Sequence, residues 1–106
     1  MKKIWKYPIK DTGTTEWKMP KGAKILSVQN QRGCISMWVE VDFSENEYES
    51  RSFVLIPTGL IAYDATNKTY LATVQMHDGY TVMHVFECRK ESVSTPDCKN
   101  NLTTAQ

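Results

Sequence analysis

At 106 residues the chain has room for one domain around one hydrophobic core, and its 41% hydrophobic content suits a folded protein rather than a disordered one. A formal net charge of +1 gives no bulk attraction to nucleic acid or anionic lipid. No segment approaches the ~20 apolar residues that a membrane-spanning helix needs.

Met1-Lys2-Lys3 is basic like the start of a signal peptide, but Ile4-Trp5-Lys6-Tyr7-Pro8 brings no apolar stretch behind it, so export is not expected. Trp5, Tyr7 and Ile9 alternate with lysines and Pro8, which predicts a first strand at a sheet edge. Asp11-Thr12-Gly13 is turn chemistry. A short strand around Thr15–Met19 ends at the turn Pro20-Lys21-Gly22. Trp5 and Trp17 are expected in core or edge packing.

Next comes a hairpin, Lys24–Gln31 and Cys34–Phe43 around Arg32-Gly33. Ile35, Met37, Val39, Val41 and Phe43 alternate strictly and should share a buried face. A two-residue loop sets Leu26 opposite Val39 and Val28 opposite Met37, with Trp38, Ser27, Glu40 and Asp42 pointing outward. Ser44–Ser50 reads as an acidic loop, Arg51–Ile56 as a strand stopped by Pro57-Thr58-Gly59, and residues 60–69 as a loop with room for one helical turn.

Tyr70–His77 and Tyr80–Cys88 around Asp78-Gly79 form the strongest hairpin signal in the chain. A two-residue loop pairs His77 with Tyr80, Gln75 with Val82 and Thr73 with His84. Ala72, Val74, Met76, Met83 and Val85 then face the core. Thr73, Gln75, His77, Tyr80, Val82, His84 and Phe86 form a mixed aromatic and polar face opposite. Beyond Arg89-Lys90 the composition turns polar. The expectation is one all-β domain over residues 1–90, an antiparallel barrel or sandwich of about six strands, with a disordered tail over 91–106.

Chemistry-bearing patterns are scarce. On the predicted face the two histidines lie four residues apart, on the order of 13 Å at the strand rise, too far to share one metal ion. No Gly-x-Ser-x-Gly elbow, Gly-rich phosphate loop or Cys–His pairing stands out, so no enzyme, cofactor or metal is expected. Cys34, Cys88 and Cys98 are expected as reduced thiols, with a Cys88–Cys98 bridge as the alternative.

Charge is laid out unevenly. Residues 1–24 carry seven lysines against Asp11 and Glu16, a net +5, whereas Glu40, Asp42, Glu45, Glu47 and Glu49 make residues 40–49 a stretch of −5. Two opposed patches could steer a partner or a second copy of the chain. The candidate binding residues are therefore these five acids, Trp38, and Thr73, Gln75, Tyr80, His84 and Phe86 of the mixed face.

Lys2–Tyr7, the run from Met19-Pro20-Lys21-Gly22-Ala23-Lys24-Ile25-Leu26-Ser27-Val28 to Gln29-Asn30-Gln31, then Met37-Trp38-Val39, Thr73-Val74-Gln75 and His84-Val85-Phe86-Glu87 resemble a family of short uncharacterised proteins of bacteriophages and prophages. The likeness spans residues 2–87. It departs at Pro57-Thr58-Gly59-Leu60, where that family carries Gly-Thr-Gly-His. The resemblance implies a phage-derived accessory protein in the bacterial cytoplasm, neutralising a host defence system, of the anti-CRISPR or a similar type, by stoichiometric protein binding. The alternatives are an oligomeric sponge for an immune nucleotide and a minor virion or assembly component. A host protein is the expected partner, with self-association or a nucleotide ligand as alternatives. Neither membrane nor nucleic acid is expected.

Overall fold

The computed structural model describes residues 1–60 and 66–89. Over these the chain forms seven strands: β1 (Lys2–Pro8), β2 (Thr14–Pro20), β3 (Lys24–Gln31), β4 (Cys34–Asp42), β5 (Tyr48–Pro57), β6 (Lys68–Met76) and β7 (Thr81–Cys88). They build two sheets, ordered β1-β4-β3 and β2-β5-β7-β6, with every ladder antiparallel. This is the expected all-β class in its sandwich form. β1 lies at a sheet edge as anticipated, and its lysines discourage further pairing there.

The alternation read from the sequence places the core. Ile35, Met37, Val39 and Val41 of β4 are buried and meet Phe53, Leu55, Val74, Met83 and Val85 of the other sheet in one cluster. Trp5 and Trp17 pack against it. The Trp17 ring stands edge-on to Tyr7 with centroids 5.3 Å apart, while its indole N–H donates to the Pro8 carbonyl at 2.8 Å. Burial raises the Tyr7 phenol above its ordinary pKa, with the nearby Tyr48 adding to the shift. β5 is buried on both sides. Phe53 and Leu55 enter the main core, and Val54 and Ile56 join Cys88 in a second cluster against Phe86.

The first hairpin turns through Arg32 (φ 53) and Gly33 (φ 87), the pair of positive φ values that its tight two-residue loop demands. Val28 pairs with Met37 as expected, but a bulge between Ile25 and Ser27 brings Ile25, not Leu26, opposite Val39. Leu26 is displaced outward and 44% exposed. Phe43, expected in the core, lies beyond the end of β4 and is 43% exposed, with the Lys3 ammonium 5.0 Å from its ring centre.

In the second hairpin Gln75 pairs with Val82 and Thr73 with His84, as expected. Its loop holds four residues rather than two. His77 (φ 51) and Asp78 (φ 57) join Gly79 (φ 91) in left-handed conformations, and the Tyr80 N–H closes on the His77 carbonyl at 3.1 Å. Opening the last pair enlarges the loop without slipping the register. His77 and Tyr80 thereby leave the ladder.

The predicted acidic loop is shorter than Ser44–Ser50, because Tyr48, Glu49 and Ser50 already belong to β5. The loop predicted over 60–69 likewise ends early, with Lys68 and Thr69 in β6. Cys34 is a free thiol and Cys88 is disulfide-bonded, which corrects the expectation of reduced cysteines throughout. Cys98, the whole 91–106 tail and residues 61–65 of the 60–69 stretch, where the sequence leaves room for a helical turn, lie outside the described residues.

Candidate functional site

Trp38 stands at the centre of the outer face of the β1-β4-β3 sheet, because its neighbours Met37 and Val39 are both turned into the core. Register sets Lys6 and Ser27 beside it and Ile4, Glu40 and Lys24 in the adjoining row. Trp38 is half-buried among these neighbours, while Ile4 is 60% exposed. The outcome is a small apolar centre edged by Lys2, Lys6 and Lys24 on one side of the charge balance and Glu40 and Asp42 on the other. Among the described residues no third layer covers this face.

The acidic stretch is largely engaged by the chain's own lysine-rich start. Lys2 meets Glu40 and Lys21 meets Glu47, each at 3.4 Å. Asp42 accepts the Ser44 hydroxyl at 2.6 Å and the Ser44 N–H at 3.1 Å, and it lies 3.3 Å from the N-terminal ammonium. These contacts, the Ser44 bonds foremost, bring its pKa down to about 2. Glu45 accepts the Glu47 N–H at 3.0 Å, and Glu49, on β5, accepts the Gly22 N–H at 3.2 Å. The two stretches are thus not separate poles. Exposed pairs of this kind are screened by solvent and contribute little to stability; here they join neighbouring strands and turns.

The mixed face contains an ordered polar chain. The two ring nitrogens of His84 are both engaged: Nε2 lies 2.7 Å from Thr58 Oγ1 and Nδ1 lies 3.0 Å from Thr73 Oγ1. Tyr70 Oη extends the chain to Thr73 Oγ1 at 2.7 Å, and the Tyr70 ring packs edge-on to Phe86 at 5.7 Å. A neutral imidazole donates from one nitrogen and accepts at the other, so both its roles are filled by hydroxyls that can rotate to suit either tautomer. Pro57, Thr58, Gly59 and Leu60 border a hollow of about 290 Å³ against Tyr70, His84 and Phe86.

Of the residues expected on this face, Thr73, His84 and Phe86 meet there. Gln75 follows along β6, its carbonyl receiving the Asn30 side-chain amide at 3.1 Å across the gap between the sheets. Tyr80 does not join them: it sits in the loop, 90% exposed, and His77 leaves the face with it. Tyr70 and Thr58 are the residues the sequence reading missed. A bulge at Leu71 shifts the register so that Tyr70, not Leu71, stands opposite Phe86, and simple alternation back from Thr73 gives the reverse.

Among the described residues no group of three or more His, Cys, Asp or Glu side chains is placed to hold a metal ion, and no helix is long and apolar enough to cross a membrane.

These features define a small antiparallel β-sandwich with a tryptophan-centred face that no other described element covers and a histidine-centred hollow on the opposite sheet. The chain belongs to the family described as a domain of unknown function, DUF7352, which matches residues 1–96. No curated protein and no solved structure matches it.

Proposed function

We propose that this protein is a phage-derived accessory factor that counters a bacterial defence component by stoichiometric, non-enzymatic binding in the host cytoplasm, with the outer face of the β1-β4-β3 sheet as its contact surface. The observation that carries this reading is Trp38 at the centre of that face, beside the 60% exposed Ile4. A tryptophan held by its strand neighbours offers a large contact area at little cost in side-chain entropy, and such anchors dominate interface energies. The phage origin rests on the sequence resemblance, and the class of target follows from it by analogy.

The test is infection of bacteria carrying defined defence systems, with and without the protein. Wild type restores plaques against one system, and Trp38→Ala loses the rescue at unchanged expression and with its fold retained. Absence of rescue across a broad panel sinks the defence reading. Equal rescue by Trp38→Ala moves the contact surface elsewhere.

A second reading is favoured by the hollow beside Tyr70, His84 and Phe86, whose aromatic edges and hydroxyls suit a base of an immune nucleotide. Calorimetric titration with a nucleotide panel separates the two. Under the sponge reading binding is saturable and is lost in both Tyr70→Ala and Phe86→Ala.

A further inference from the structure

The core is not closed to the same depth along the sandwich. Where the β3–β4 and β6–β7 turns come together, Ile35, Leu55, Met76 and Met83 floor a cleft of about 420 Å³, with Asp11 and His77 at its mouth. Met76 and Met83 each retain 9% exposure and Leu55 8%, whereas Met19, Met37 and Phe53 elsewhere in the core retain none. The volume falls within the range of small-ligand sites, about 300–1,000 Å³. Both sheets contribute to the floor, so a ligand there would be held between the layers.

A second observation marks the same place. A two-residue Asp-Gly turn would have kept His77 in the ladder with an ordinary backbone. Instead His77 and Asp78 both take left-handed conformations, and His77 is set at the mouth of the cleft. Left-handed backbone at residues other than glycine is costly and gathers at ligand sites.

The chemistry narrows the occupant. Two methionine thioethers in the floor adapt their shape and favour contact with an aromatic ring. The carboxylate of Asp11 suits a hydrogen-bond-donating cation. We propose that this open end binds a small aromatic amine, its ring on Met76 and Met83 and its ammonium group at Asp11.

The experiment is a titration of the full chain, labelled at its methionine methyl groups, with tryptamine, indole and hexylamine in turn. Tryptamine is expected to shift the Met76 and Met83 signals saturably and leave Met19 and Met37 in place. Indole, lacking the ammonium, and hexylamine, lacking the ring, are each expected to bind roughly tenfold more weakly. Asp11→Asn is expected to remove the advantage of tryptamine over indole while leaving the free-state spectrum unchanged. No saturable shift at Met76 and Met83 overturns the site. Indole or hexylamine matching tryptamine overturns the assigned ligand class, as does an Asp11→Asn protein that still prefers tryptamine.

Discussion

The two ends of the sandwich solve the same problem in opposite ways. Any pair of stacked sheets leaves its core open where the strands stop. At one end Arg51 Nε and Nη2 donate to the two carboxylate oxygens of Glu87 at 2.6 and 2.8 Å, and Nη1 donates to the Ala23 carbonyl at 2.6 Å. The side chains of the pair are only 18% and 17% exposed. The forked geometry satisfies both partners, offsets their desolvation and raises the guanidinium pKa further, chiefly through its hydrogen bonds to Glu87. At the other end stand methionines and a turn of left-handed residues, with no salt bridge among the described residues. The contrast teaches that the sealed end fixes how the sheets are joined, and the loose end is where something can enter.

The largest effect is expected from opening the sealed end. Glu87→Ala strands a mostly buried guanidinium and should cost about 3 kcal/mol, read as a lower urea midpoint. The double change Arg51→Met with Glu87→Leu should cost less than either single change, since an apolar pair leaves no orphaned charge. Strict additivity in that cycle would show that the pair does not act as a unit.

Large-to-small changes in the core sharpen the contrast. Met37→Ala is expected to lose about 4 kcal/mol, because its surroundings are closed and a cavity persists. Met83→Ala, beside an existing cleft, is expected to lose about 2 kcal/mol in the same denaturation measurement. Equal losses would erase the difference between the ends. Trp38→Ala, on the outer face, should cost within about 1 kcal/mol, leaving its effect on binding interpretable.

The smallest effect concerns acid. Asp42 has its pKa lowered from 3.8 to about 2 in the folded chain, so the stability it contributes is present above pH 3.8 and is lost as pH falls toward 2. Ser44→Ala removes the leading cause, and a carboxyl titration by NMR should find the Asp42 pKa moved back up toward 3.8. An unchanged value would assign the shift to the N-terminal ammonium instead.

The hairpins were legible because Arg32-Gly33 and Asp78-Gly79 sit between alternating runs, and a loop of even length keeps the register whether it holds two residues or four. The bulges at Leu26 and Leu71 were not legible, since one extra residue leaves no mark on composition. With them went Tyr70, the ring that completes the histidine-centred face. The ion pair that seals the sandwich joins residues 36 apart in sequence, and no local pattern announces it. The opposed charge stretches were visible, but that they would meet within the molecule depends on β1 lying against β4, and β2 against β5.

Limited oxidation with hydrogen peroxide, followed by peptide mass mapping, tests the difference between the ends most directly, because thioether oxidation follows access. Met1, 82% exposed, should react first. Met76 and Met83 should follow, well before the fully buried Met19 and Met37. Oxidation of Met19 or Met37 at the rate of Met76 and Met83 would contradict the account, for it would mean that the core has no open end.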